Sequence, residues 1–442
     1  MPKRNIAVVG AGISGLAAAW LLSRSCTVSL YEKQNRLGGH CNTVNVGQTP
    51  VDTGFIVYNK RNYPNLAALF AHLGMGTIVT DMSFSASFDR GKFEYGGGEL
   101  SSLIAQKRNL FRPRFWRMIR DIIRFYCEAP LVLARDRPQE QTLGEYLTAG
   151  KYSDAFINNH LLAMGAAIWS IPVETMMAYP LVTFVRFCHN HGLLQFRNRP
   201  QWRSVSGGSR EYVKRMAKAI SGGIILNCEI VAAGPLQDGG AYVEDRNGHR
   251  AFYDEIVLAC HADQALNMLC PPGPTVQNIL SAFRYERNLA VLHSDEALMP
   301  KNRKIWSSWN YLSERMAGKE KLCVTYWMNR LQRLDHDRPL FVTLNPSQPP
   351  RKGRVIESFQ YEHPSFDAHA IGAQKLLASI QGKQNIWYCG SYFGYGFHED
   401  ALLSGLAVAE AIGGIKRPWA VERDGRHPHI MASSPSLAVG AT

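Results

Sequence analysis

Three shortages bound what this chain of 442 residues can be. No apolar run approaches the roughly 18–20 residues that a membrane-spanning helix needs. No two of the nine cysteines stand at C-x-x-C spacing, and they are scattered, which argues against a disulfide framework and for a reducing compartment. Cys188, His189 and His191 offer ligand-type residues, yet nothing completes a tetrahedral set, so no metal site is expected. Acidic residues are few, 36 against 49 lysines and arginines, for a formal net charge of +13. That excess favours an anionic partner. No nucleic-acid motif accompanies it, so nucleic acid is set aside.

What is present is organised by residues 5–40, NIAVVGAGISGLAAAWLLSRSCTVSLYEKQNRLGGH. Ile6 to Val9 is a short apolar run of the kind that forms a buried parallel strand. Gly10, Gly12 and Gly15 then give a G-x-G-x-x-G turn, with Ile13 and Ser14 inside it, before an alanine- and leucine-rich helix. A second run, Thr27 to Tyr31, ends on Glu32. This is the strand–turn–helix–strand–acid order of a dinucleotide-binding unit. Gly10 permits the turn, Gly12 admits a pyrophosphate close to backbone, and Gly15 lets helix pack on strand. The helix N-terminus offers free N–H groups to the phosphates, and Glu32 can accept from ribose hydroxyls. Lys3 and Arg4 ahead of this apolar stretch mimic a secretory signal, but cleavage after it would destroy the fold, so a cytoplasmic protein is expected.

Glu32-Lys33-x-x-Arg36-x-Gly38-Gly39 resembles the second signature of flavoprotein oxidoreductases of the amine-oxidase type. The resemblance implies FAD as cofactor, with Arg36 beside the adenosine-diphosphate portion and the glycine pair passing close to it. His40 departs from the arginine usual there. The segment around Gly54 and Phe55 resembles the stretch that lies beside the flavin in that family. By the same resemblance, backbone at Ile230 and Val231 holds the adenine. The run Asn385 to Ile412, with a strand ending on Gly390-Ser391 and a helix from about Ala401, resembles the C-terminal flavin motif. The implied architecture is α/β: a Rossmann-type FAD-binding domain from residues 1–80, 200–262 and 384–415. An α+β substrate lobe built on an antiparallel sheet and helices, residues 81–199 and 263–383, interleaves with it. Residues 416–442 read as a flexible tail.

Within the substrate lobe, Met82, Phe84, Ala86 and Phe88 alternate with serines as a strand, with Phe93 to Tyr95 as its partner. Residues 107–126 interleave seven lysines and arginines with apolar side chains. From Pro113 the residues Phe115, Trp116, Ile119, Ile122, Ile123 and Tyr126 follow helical spacing. Two readings are open: a basic helix lying on an anionic membrane, or a surface helix packed on the lobe with solvated arginines. The apolar run Leu161 to Ser170 reads as a buried helix. His191 is either a substrate-side group or a structural histidine.

Gly38-Gly39-His40, Asn190 to Leu194 and Gly394 to Asp400 look like a bacterial subfamily similar to the oxidase-like part associated with cyclopropane fatty-acid synthases. This implies a lipid or fatty-acyl substrate, oxidised or desaturated, and a possible fatty-acid methyltransferase partner. Desaturation needs a proton acceptor beside the hydride acceptor. His398 and Glu399 are the first candidates, then Tyr395 and His191. Alternatively, His398 to Asp400 cap the following helix. Two rival functions stand beside the lipid reading: a soluble amine oxidase, and a non-catalytic flavin-bound lipid-binding partner of a methyltransferase.

Overall fold

The computed structural model describes residues 3–97, 100–134, 141–169, 176–195, 198–316, 319–335 and 337–421. Strand β1 (Asn5–Val9) is buried from Ile6 onward, as a strand covered on both faces must be. Helix α1 (Ile13–Leu22) follows the glycine turn, and all ten of its residues are buried. β2 (Thr27–Tyr31), β3 (Gly223–Ile225), β4 (Glu255–Leu258) and β5 (Ile386–Tyr388) complete a parallel sheet in the order β3-β2-β1-β4-β5. Its strands come from three distant stretches of chain, all inside the segments expected to form the cofactor domain.

The other large sheet has seven strands and lies wholly within residues 84–365. Its order is Val355–Ser365, Arg284–His293, Phe341–Leu344, Lys319–Trp327, Trp309–Met316, Phe84–Phe88, Phe93–Gly96. The expected hairpin at 84–96 forms, and Phe84–Phe88 then pairs parallel with Trp309–Met316. The sheet is therefore mixed rather than purely antiparallel.

Four further helices position the site. α2 (Pro64–His72) has proline in its first turn and stops before Gly74, whose φ of +62° suits glycine. α3 (Pro113–Glu128) and α4 (Leu181–Asn190) cover the substrate lobe. α5 (His398–Gly413) packs along α1, where a Cβ on Gly405 would stand 2.1 Å from the Ser14 carbonyl oxygen. Only glycine permits that crossing.

Two expectations need correction. The apolar face of α3 is rotated from the expected set: Phe115, Met118, Ile122, Phe125 and Tyr126 are buried, while Trp116 and Ile123 are exposed. Five buried large side chains at roughly 1.5–3 kcal/mol each outweigh what the outer pair could gain. Residues 416–421 are held against the cofactor domain rather than loose, and the rest of the expected tail, 422–442, lies outside the described residues. Arg417 bonds both Glu410 oxygens and Asn65 Oδ1, and Trp419 stacks on Trp20 at 5.9 Å. Of the expected buried helix, Leu162–Trp169 is helical, and Ser170 lies outside the described residues.

Candidate active site

One cavity of about 1460 Å³ runs between the two lobes. At one end its wall is the glycine turn: Gly10, Gly12, Ile13 and Ser14 line it, and Gly15 does not. The three glycines divide the work by geometry. A Cβ on Gly10 (φ +102°) would meet the Ala259 oxygen at 2.7 Å, and one on Gly15 would meet the Gly10 oxygen at 1.9 Å. A Cβ on Gly12 meets nothing within 4 Å, because it would project into open cavity. The first turn of α1 carries neither a side-chain cap nor an acidic residue, so its N–H groups are left for an anion. Gly38 (φ +108°) and Gly39 (φ +56°) carry the chain back past Gly12.

Glu32 ends β2 in the wall of the cavity, its carboxylate accepting from Ala11 N at 2.8 Å and Gln34 N at 2.9 Å. These contacts fix its position and leave acceptor capacity for a ribose. Lys33 and Arg36 line the same end, and Arg36 donates to the Gly39 carbonyl at 2.8 Å. Ile230 and Val231 line it from the strand Ile230–Pro235. Farther along the wall stand Gly54, Phe55, Gly390, Ser391, His398 and Ala401. The donor set fits FAD: a turn and helix end for the pyrophosphate, an acid for the ribose, and a second helix end, that of α5, at the far side.

His398 is the first residue of α5. Its ring stacks on Phe55 at 3.9 Å, and its Nε2 is 2.5 Å from the Tyr212 hydroxyl. Cys41 Sγ also touches that hydroxyl. His40 stacks on Tyr361 at 5.1 Å and lies 5.4 Å from the His363 ring. Desolvation, helped by the nearby His40 ring, holds His398 and His363 down at about 3, and desolvation, helped by His261 and Arg36, holds His40 at about 4. All three are neutral at neutral pH. Sequence reading missed Tyr212, Tyr361 and His363, because nothing local in a strand or helix reveals which distant residue it will face.

Glu399 requires a correction. It is buried and absent from the cavity wall; its Oε1 accepts from Asn65 N at 2.8 Å and its Oε2 from Leu66 N at 2.9 Å. It therefore caps the N-terminus of α2 rather than serving substrate or cofactor. Asp400 turns back on its own helix start, accepting from Tyr395 N and Phe397 N. Tyr395 and His191 do line the cavity. His191 follows α4, stacks on Phe187 at 3.9 Å, and its Nδ1 lies 2.9 Å from the Phe187 carbonyl oxygen. That carbonyl can only accept, so Nδ1 carries the proton and Nε2 is the basic nitrogen.

From the substrate lobe the cavity is lined by Phe84, Tyr126, Met164, Phe187, Trp306 and Trp309, with Asp81, His160, Lys304 and Arg330 among its polar groups. Arg199 stands on its wall near Tyr126 and His160. No group of three or more metal-ligating side chains occurs among the described residues, and no described helix is long and apolar enough to cross a membrane.

Residues 8–73 match the family described as NAD(P)-binding Rossmann-like domain. Over 79 residues the chain is 39% identical to coproporphyrinogen III oxidase of Mycobacterium bovis, covering 17% of each protein. It thus spans about a sixth of that relative's length. It is 24% identical over 304 residues to 4,4'-diapophytoene desaturase of a Methylomonas species, covering 61% of this chain and 56% of the relative. Among solved structures, cyclohexylamine oxidase from Brevibacterium oxydans aligns with a TM-score of 0.67 at 14% identity, over 93% of this chain and 99% of that one. The CLA-producing fatty acid isomerase from P. acnes aligns with a TM-score of 0.65 at 13% identity, over 93% and 98%. Over nearly its whole length the chain shares the fold of these two solved structures, and residues 8–73 are its Rossmann-like part. The coproporphyrinogen oxidase and the desaturase are what its sequence is similar to.

Proposed function

We propose that this chain is an FAD-dependent oxidoreductase that removes two hydrogens from a lipid acyl chain. The observation carrying this reading is a cavity lined both by the dinucleotide cradle and by large apolar side chains of the substrate lobe. At about 1460 Å³ it exceeds the roughly 300–1,000 Å³ of an ordinary small-ligand pocket, leaving room for an extended apolar substrate beside a cofactor. The similarity to a desaturase and to a fatty acid isomerase supports the same substrate class.

FAD, held by the glycine turn, Glu32 and the start of α5, would supply a two-electron hydride acceptor. The chain must take the remaining proton from the neighbouring carbon as the double bond forms. His191 is the proton acceptor in this account: its Nδ1–H is anchored on the Phe187 carbonyl, which presents Nε2 as the base. His398 is a positioning residue, fixed between Phe55 and the Tyr212 hydroxyl and held neutral. The apolar side chains exclude water, and Arg199 can meet an anionic head group.

Aromatic rings at Phe187, Phe397 and Tyr395 favour a second reading, oxidation of a small amine. A carboxylate would strengthen the hold on an ammonium, and the cavity's Asp81 and Glu362 are paired with Arg330 and Arg287. Anaerobic mixing of the flavoprotein with acyl lipids and with amines decides between them. Flavin bleaching by acyl lipids supports the proposal, and bleaching by amines alone removes it. In His191→Gln the bleaching rate with lipid should fall about 10²–10⁴-fold, with FAD content unchanged.

A further inference from the structure

We infer that the outer face of α3 and the groove at its start form a docking surface for an anionic phospholipid bilayer. The inner side of this helix is core and cavity wall, where Tyr126 lines the cavity and its hydroxyl meets His160 Nε2 at 3.2 Å. The outer side carries an unusual pair. Trp116 is 52% and Ile123 49% exposed, and a spacing of seven places them on one stripe of the helix. In the single turns flanking the helix, Phe111 is 87% and Leu131 65% exposed. The Trp116 indole N–H donates to the Leu110 carbonyl at 2.8 Å, so its polar atom is satisfied within the chain and the ring is free to enter an apolar phase.

Charge surrounds this apolar strip. Between Lys107 and Glu128 stand seven cations and two carboxylates. The carboxylates are taken: Arg120 pairs with Asp121, and Arg124 with Glu128. Arg108 and Arg112 donate to the Lys92 carbonyl, and Arg114 to the Asn159 side-chain oxygen. Those acceptors are neutral and leave the positive charge uncancelled. Arg112, Arg114 and Arg117, with Asn158, Asn159 and Asp89, line a groove of about 730 Å³ that also takes in Phe111. Three arginines against one aspartate, next to an exposed aromatic ring, suit a phosphate head group whose acyl chains lie beside Phe111. Basic residues near an anionic surface gain about 1 kcal/mol each, and exposed aromatics seat at the headgroup boundary.

This surface fits the lipid reading of the cavity but does not depend on it, because docking is measured without turnover. The full-length flavoprotein is sedimented with vesicles of neutral phosphatidylcholine and with vesicles containing phosphatidylglycerol. The expected result is binding to the anionic vesicles only, weakened by salt. Arg117→Glu and the pair Phe111→Ser with Ile123→Ser should each weaken it roughly tenfold. Phe252→Ser, an exposed ring on the cofactor lobe, should not. Flavin absorbance and melting temperature confirm that each variant is folded. Failure of the native chain to bind anionic vesicles overturns the proposal in favour of a protein partner, and so does binding that ignores either α3 variant. Both outcomes leave the acyl-chain oxidation standing.

Discussion

His398 and Glu399 are neighbours in sequence and serve different parts of the molecule. Side chains a residue apart on a helix point about 100° apart, so one ring faces the cavity while the next carboxylate enters the start of α2. Glu399→Ala should cost about 1–3 kcal/mol of stability, the penalty for stranding buried N–H donors. The pH profile of flavin reduction should not move. A shift of that profile, with the melting temperature intact, would return Glu399 to the chemistry. Gly15 is a second position where one atom decides. A Cβ there would stand 1.9 Å from the Gly10 oxygen, so Gly15→Val should abolish FAD retention on gel filtration. Full retention would show that the turn can shift. Tyr212→Phe removes the hydroxyl partner of His398 Nε2. It should change the flavin spectrum and reduction rate while FAD affinity changes little.

At the scale of elements, what the sequence makes legible is local. The glycine turn, Glu32 at the end of β2, and the hairpin at 84–96 are set by residues within a few positions of each other. The face that α3 presents is not. Its apolar residues occupy more than one stripe, and only the packing of the lobe chooses Met118 and Phe125 over Trp116 and Ile123. Nor could spacing reveal that the strand Val355–Ser365 brings Tyr361 and His363 to His40. Its pairing partner, Arg284–His293, lies some seventy residues away. Asp52 is a comparable case. In sequence it stands two residues before Gly54 with nothing to mark it, yet it accepts from Thr43, Ser209 and Gln332 and so joins both lobes.

At the scale of the whole molecule, buried neutral histidines make stability depend on pH. His160 and His293 lie away from the dinucleotide cradle, and burial holds both down at about 4. His293 accepts from Asp295 N through Nδ1 and reaches Thr343 through Nε2, so a second ring proton would break the first bond. Between pH 6.5 and about 4 the unfolded chain binds protons that the folded chain refuses. Stability therefore falls as pH falls through that window. Asp52 has the opposite sign: burial pushes it up from 3.8 to about 6, so its contribution is full at low pH and is lost as pH rises through that window. The histidines outnumber it. The melting temperature should drop from pH 7 to pH 5, and Asp52→Asn should steepen the drop. A flat profile would mean these rings are solvated.

The central claim joins a flavin site to an acyl-chain substrate, and a single anaerobic turnover tests it most directly. The purified flavoprotein is mixed without oxygen with phospholipids bearing saturated, unsaturated and methyl-branched chains. Flavin bleaching is followed, and the lipid is then analysed by mass spectrometry. The account predicts one new carbon–carbon double bond, a loss of two hydrogens, for each flavin reduced. Bleaching by amines with every lipid unchanged would contradict it.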